Sequence, residues 1–204
     1  MTELLSANLL RLKKSCLFWG TLALSVAFGC FIVYTQLSDR ARYGSAVQLD
    51  SILFFYAMVI GLVCAVFISL FFGTEHSDGA MRNKIVVGRS RMSIYFAHLL
   101  TGYIVALLST AAYLLTVLGL GLPTIGGLTA PIPSIALNLL GTLVMEAAFC
   151  AIYTLVTMNC TKKAVAAVSC ILLFFGLMVA STYVKGRLDA PEFITGYTLS
   201  VNGE

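Results

Sequence analysis

The uncharged stretch SILFFYAMVIGLVCAVFISLFFG, which runs from Ser51 to Gly73, decides the fold of this chain. An α-helix needs about 20 consecutive apolar residues to cross a bilayer, and this stretch is long enough. Four further runs of similar length are uncharged or contain one ionisable residue, and they cover residues 16–37, 93–122, 135–158 and 164–184. The alternation of polar and apolar residues that a membrane β-barrel needs is absent. The sequence therefore predicts an all-α, polytopic bundle of about five transmembrane helices, in a single transmembrane domain over residues 1–204.

The composition excludes an ordinary soluble protein. Hydrophobic residues make up 59% and charged residues 11% of the chain, against about 45–50% and about 25% in soluble domains. A water-soluble fold cannot bury this much apolar surface. The first run follows basic residues, as in a secretory signal, but it is longer than the roughly 7–15 residue core of a signal peptide. We therefore expect it to remain attached as the first span.

The distribution of Lys and Arg predicts the orientation of the spans. Most basic residues fall in the N-terminal segment, in the 74–92 loop and in the short loop after the fourth run. Basic loops face the cytoplasm, so the N-terminus is expected to be cytoplasmic and the 185–204 tail extracellular. The formal net charge of +4 is carried by residues next to the membrane ends. Anionic lipid is therefore the expected partner of these charges, and nucleic acid is not.

Residues 1–15 are predicted to form a short helix that lies at the membrane surface. Leu5, Leu9 and Leu12 share one face of this helix. Arg11 and Lys14 are expected to point away from the apolar face, as in other interfacial helices. The alternative is a frayed cytoplasmic tail.

The 74–92 loop is the longest connection on the predicted cytoplasmic side, and it contains helix signals. Ser77 can act as an N-cap, and Asp78 favours the positive end of a helix. Gly88 stands where a left-handed residue would end the helix. The spacing therefore predicts a short helix over 78–87.

This loop helix has one apolar face. Met81 and Ile85 are four residues apart and share a face, while Arg82 and Lys84 are separated from them. Such a helix can lie flat at the membrane surface and offer its apolar side chains to a cytoplasmic partner. The alternative is a solvated loop helix that contacts only lipid.

Two ionisable residues stand within the apolar runs. Glu146 lies in the middle of the fourth run, where an ionised carboxylate is costly. It is either a carboxylate of a translocation path or proton relay, or a hydrogen-bonded group that fixes helix packing. No basic residue stands at that depth, so its partner is either a polar group such as Asn138 or Tyr153 or a group of another subunit. His98, near the cytoplasmic end of the third run, is expected to form hydrogen bonds at the interface.

The motifs of several enzyme classes are missing from the sequence. There is no H-E-x-x-H pair and no Cys/His cluster for a metal. Every aspartate falls in a loop, and no G-x-S-x-G nucleophile elbow exists. A G-x-x-x-x-G-K-[ST] phosphate loop is also missing. We therefore predict no catalytic residues, no metal and no cofactor in this chain, and any ATP that drives it must be bound elsewhere.

The stretch FGTEHSDGAMRNKIVVGRSRMSIY, from Phe72 to Tyr95, resembles the loop between the second and third spans of bacterial type-2 ABC exporter permeases. In that family a span ends in F-G-x-E, followed by x-S-x-G-x-x-R-N-K and then by G-x-S-R. The N-terminal segment from Leu4 to Ser15 resembles the elbow helix of the family. The resemblance implies that the following residues form or frame the coupling helix that docks on the ATPase subunit: Glu75, Gly79, Arg82, Asn83, Lys84, Gly88 and Arg91.

The resemblance implies a permease subunit of an ATP-driven exporter in the bacterial cytoplasmic membrane, with a peptide, drug or other amphipathic molecule as substrate. Its partners would be an ABC ATPase subunit, which binds ATP and magnesium, and a second permease copy or homologue. The family has six spans with both ends in the cytoplasm, so this five-span chain is either truncated before a sixth span or miscounted. The alternative function is a non-transporting membrane immunity or scaffold protein whose loop binds another cytoplasmic partner.

Overall fold

The computed structural model describes residues 2–43, 49–77, 86–88, 90–128, 130–160 and 162–188, and these residues are almost entirely helical. The helices are α1 (Thr2–Lys14), α2 (Cys16–Tyr43), α3 (Leu49–Leu53), α4 (Phe55–Ser77), α5 (Arg91–Thr124), α6 (Ile132–Asn159) and α7 (Lys163–Leu188). Within the described ranges there is no β-strand, and five helices, α2 and α4 to α7, are long and apolar enough to cross a membrane. The prediction of an all-α polytopic bundle with five spans is confirmed.

The helices extend beyond the apolar runs that predict them. α2 continues past Leu37 to Tyr43, and α7 continues from the predicted tail boundary to Leu188. Charged residues can continue a helix after the chain has left the hydrocarbon, so hydropathy marks the bilayer and not the helix end. The apolar run from Ser51 to Gly73 does not indicate that its first three residues belong to a separate short helix, α3, before α4 begins at Phe55. The remainder of the predicted tail, 189–204, lies outside the described residues.

α4 occupies the centre of the bundle. It packs against α5, α6 and α7, and 56% of its most apolar window is buried, compared with 22% for α2 and 17% for α6 and α7. Ile60, Ala65 and Ile68 are completely buried. The side chains of α4 are apolar on all sides, as a helix needs when other helices surround it. α6 and α7 keep one face on the outside of the bundle.

α1 lies against the start of α5 and reaches the end of α4. Leu12 and Asn8 are buried and Leu9 is half-buried, so the leucine face packs partly on protein. Arg11 was predicted to point away from the leucine face, and its guanidinium contacts α4. Helical periodicity gives the direction of the Cβ atom only, and a long arginine side chain can reach across the helix surface.

Gly73 lies where α4 and α7 come close together. A Cβ atom at this position would be 2.9 Å from the Cβ and 3.1 Å from the Cα of Lys163. Because a backbone atom cannot rotate away as a side chain can, the two helices would have to move apart. The glycine of the F-G-x-E motif is therefore required for packing at this end of the bundle.

We expect Gly73→Ala to lower the free energy of unfolding by about 1–3 kcal/mol, the usual cost of overpacking a tight contact. Gly176→Ala in α7 is the matched control, because no atom lies within 4 Å of the added Cβ. Since alanine is the better helix former, the control should be neutral or stabilising by up to about 1 kcal/mol. Reversible unfolding in mixed micelles measures both variants, and equal stabilities would contradict this account of Gly73.

Candidate functional site

A carboxylate at the end of α4 joins three helices. Glu75 lies two residues before the end of α4, and its side chain is only 3% exposed. Nη1 of Arg11, on α1, donates to its Oε1 at 2.5 Å, and Nε2 of His98, on α5, lies 3.1 Å from its Oε2. We call these three residues the Glu75 cluster. Its two carboxylate oxygens connect α4 to two different helices, beside the loop that follows α4.

Further contacts hold the partners of this carboxylate in place. The second guanidinium nitrogen of Arg11, Nη2, donates to Thr74 Oγ1 at 2.7 Å, and the guanidinium carbon lies 4.9 Å from the centre of the Phe71 ring. His98 is buried and stacks on Phe72 with ring centres 4.1 Å apart. Hydrogen bonds between charged groups are stronger than neutral ones, and a guanidinium over a ring adds attraction. The Glu75 cluster is therefore a well-fixed connection and not a mobile surface ion pair.

The structure places only part of the predicted coupling segment. Gly88 has a φ of +83°, the left-handed backbone predicted for the end of the loop helix. Arg91 is the exposed first residue of α5. Ser90 caps this helix, since its Oγ accepts a hydrogen bond from the backbone N–H of Ser93 at 3.2 Å. The predicted coupling residues Gly79, Met81, Arg82, Asn83, Lys84 and Ile85 lie outside the described residues, together with most of the predicted 78–87 helix.

Sequence reasoning places neither Arg11 nor His98 with Glu75. The sequence signal that could have predicted the contact between His98 and Glu75 is their position in the membrane. Glu75 lies at the end of the second span and His98 near the start of the third, so both lie near the same side of the bilayer. His98 was expected to form a hydrogen bond near the cytoplasmic end of the third span, and the structure buries it between helices with its Nε2 3.1 Å from Oε2 of Glu75. For Arg11 the helical pattern indicates no partner, and only the folded structure brings it to the carboxylate.

A second polar group lies in the middle of the bundle. Glu146, on α6, is completely buried, and its Oε1 accepts a hydrogen bond from Oγ1 of Thr110 on α5. The partner of this oxygen is thus a polar group of the same chain, as one alternative predicted, but it is Thr110 and not the examples Asn138 and Tyr153. Both stand about two turns away along α6, whereas Thr110 faces the carboxyl group from the neighbouring helix. The bond ties α5 to α6 inside the membrane-spanning region.

Two stacked tyrosines occupy another part of the interior. The rings of Tyr56 and Tyr113 are 4.6 Å apart, with 16° between their planes. The hydroxyl of Tyr56 lies 2.9 Å from Ser25 Oγ, and the hydroxyl of Tyr113 donates to the carbonyl of Ile52 at 2.7 Å. These bonds connect α2, α3, α4 and α5, and they satisfy polar atoms where lipid cannot.

The sites around Glu75 and Glu146 connect helices, and neither has the arrangement of a catalytic centre. Glu75 and Glu146 are both buried, so a substrate cannot touch either carboxyl group in this conformation. In the part of the chain that the structure describes, no group of three or more His, Cys, Asp or Glu side chains could hold a metal ion. The contacts at both sites connect neighbouring helices: α1, α4 and α5 at Glu75, and α5 and α6 at Glu146.

Residues 4–180 match the family model described as ABC-2 family transporter protein. The matched range includes α1 from residue 4 onward, the Glu75 cluster and Glu146. No curated protein and no solved structure matches the chain.

Proposed function

Since the chain belongs to the ABC-2 family of transporter proteins, we propose that it is the permease subunit of an ATP-driven exporter in the bacterial cytoplasmic membrane. The N-terminus and the 74–92 loop face the cytoplasm in this proposal. A separate ABC ATPase subunit binds ATP and magnesium, and a second permease copy or homologue completes the transporter. The substrate is a peptide, a drug or another amphipathic molecule.

The position of the Glu75 cluster supports this function best. The carboxylate lies two residues before the end of α4, directly before the loop proposed to dock on the ATPase. Contacts of 2.5 and 3.1 Å connect it to α1 and α5, so a movement of the loop reaches three helices together. α4 passes the movement on, because it also packs against α6 and α7. ATP binding and hydrolysis in the partner then bias the bundle toward the conformation that the partner contacts better.

We expect the double substitution R82A/I85A to reduce ATPase recovery on affinity-tagged permease about tenfold, which corresponds to about 1.4 kcal/mol of binding free energy. Arg82 supplies a charge and Ile85 an apolar side chain in the segment that resembles the coupling helix. Mass spectrometry of the proteins that co-purify in detergent identifies the ATPase and measures its recovery.

Arg42→Ala is the matched control for this experiment. Arg42 is an exposed arginine in the last turn of α2, on the side of the membrane opposite to the 74–92 loop in this proposal. Its loss should leave ATPase recovery unchanged. If R82A/I85A retains the ATPase as well as R42A does, the loop is not the docking element. Recovery of a partner that lacks ATPase motifs would favour the immunity or scaffold function instead.

A further inference from the structure

The buried face of α6 is polar over the second half of the helix. The buried side chains of this half lie on one side of the helix and form a continuous stripe, which we call the α6 stripe. From residue 146 to residue 157 the stripe is about 16 Å long at about 1.5 Å per residue, or about half of the roughly 30 Å hydrocarbon core. The buried residues of α6 are Glu146, Cys150, Tyr153, Thr154 and Thr157, and each carries a polar atom. The exposed face of the same helix carries the apolar side chains of Leu137, Leu140, Val144 and Leu155.

Three polar atoms of the α6 stripe have no hydrogen-bond partner among the described residues. They are Oε2 of Glu146, the hydroxyl of Tyr153 and Oγ1 of Thr154. All three residues are completely or almost completely buried. Leaving a buried polar atom without a partner costs about 1–3 kcal/mol, and the hydrocarbon outside the bundle cannot supply one. A small hydrogen-bonding molecule inside the bundle would remove this cost.

The C-terminal end of the α6 stripe, at Thr157, lies at the same end of the bundle as the Glu75 cluster. Thr157 stands two residues before the end of α6, and α7 begins at Lys163, whose backbone approaches Gly73 in the last turns of α4. His98 adds a further buried polar atom at this end, because its Nδ1 has no hydrogen-bond partner within the described ranges. Polar atoms therefore continue from this end to the middle of the bundle.

We propose that water hydrates the α6 stripe and reaches Glu146 from the end that carries the Glu75 cluster. Internal water commonly bridges buried polar atoms that the protein leaves without partners. Carboxyl groups inside membranes usually face water or a polar partner, and small hydrophilic molecules follow the same hydrated route. The route lies inside one chain, because the stripe contacts neighbouring helices: Glu146 bonds to Thr110 on α5, and Thr157 Oγ1 lies 3.9 Å from Cys170 Sγ on α7. It needs no ATPase, so it goes beyond the proposed function.

Native cysteines test this proposal in the unmodified chain, reconstituted in lipid nanodiscs without an ATPase. Cys150 belongs to the α6 stripe, whereas Cys30 is exposed on the outside of α2. A permanently charged methanethiosulfonate forms a mixed disulfide with a thiol and releases methanesulfinate. We expect Cys150 to react at least about tenfold faster than Cys30, because a charged reagent enters hydrocarbon only at a high cost. Mass spectrometry of the digested chain measures both rates, and equal or slower modification of Cys150 would overturn the proposal.

Thr154→Val distinguishes this route from a general opening of the bundle. Valine keeps the shape of threonine without the hydroxyl, so modification of Cys150 should slow about fivefold, as expected for the loss of one hydrogen bond. Thr142→Val is the matched control, since Thr142 lies outside the stripe and bonds to the Asn138 carbonyl of its own helix. If T154V and T142V react at the same rate, the stripe is not the route. These rates are independent of ATPase recovery, so the failure of one proposal is distinguishable from the failure of the other.

Discussion

Replacing Arg11 with alanine is expected to lower the free energy of unfolding by about 3 kcal/mol. The substitution removes a cation at 2.5 Å from the carboxylate of Glu75, whose side chain is only 3% exposed. Breaking a buried ion pair in this way costs about 3–5 kcal/mol, because the remaining charge stays in apolar surroundings. The lower figure applies here because the arginine itself is 40% exposed. Loss of the pair also releases the end of α1 from α4.

Replacing the other member of the ion pair, Glu75, should lower the free energy of unfolding by less. Glu75→Gln removes the buried charge together with the attraction, and the partly exposed guanidinium of Arg11 can turn toward water. The double variant R11A/E75Q should therefore be more stable than R11A alone, which a double-mutant cycle measures. Lys14→Ala is the control, since Lys14 is an exposed cation on the same helix and its loss should change stability by less than about 0.5 kcal/mol. Equal stabilities of R11A and K14A in mixed-micelle unfolding would refute the role of the ion pair.

Tyr113→Ala is expected to lower the free energy of unfolding by about 4 kcal/mol, within the usual range for removing a large aromatic side chain from a core. Tyr113 is completely buried, and its ring stacks on Tyr56. Its hydroxyl donates to the Ile52 carbonyl at 2.7 Å, so the substitution also takes a donor from a buried acceptor. The side chain connects α5 to α3 and α4, and a cavity at this point weakens both contacts.

Tyr113→Phe separates the hydroxyl from the ring. The phenylalanine ring can keep the stacking contact with Tyr56, so Y113F should lose only about 1–2 kcal/mol, the cost of the lost hydrogen bond. Tyr34→Ala is the control for the size of the deletion, because Tyr34 is 69% exposed on α2 and should lose less than about 1 kcal/mol. Unfolding in mixed micelles measures the stability of all three variants. A loss in Y113A no larger than in Y34A would contradict the packing described for the core.

The parts of the structure that could be predicted from sequence are those that depend on local composition. The run from Ser51 to Gly73 and its four counterparts predict the spans, because a bilayer admits only helices that cover its hydrocarbon core. Gly88 could be predicted to be left-handed because glycine has no Cβ to oppose that backbone. The stretch from Phe72 to Tyr95 indicates the family, and the match over residues 4–180 agrees with it.

The central position of α4 and the partners of the buried charged groups could not be predicted in this way. α4 is apolar on every side, as is a helix that faces lipid, so its composition does not say what surrounds it. Arg11 meets Glu75 because α1 folds back onto the end of the second span. Glu146 meets Thr110 because α5 and α6 are rotated to face each other at that depth.

The sequence by itself determined that the part of the chain that the structure describes is a helical bundle with five membrane-spanning helices, because hydropathy is summed along one helix and needs no knowledge of its neighbours. Only the tertiary structure decided which helix lies at the centre and which polar side chains share a carboxylate. The physical reason is that lipid and protein core are both apolar. Apolar composition places a helix in the membrane, and contacts between side chains then set its rotation and its neighbours.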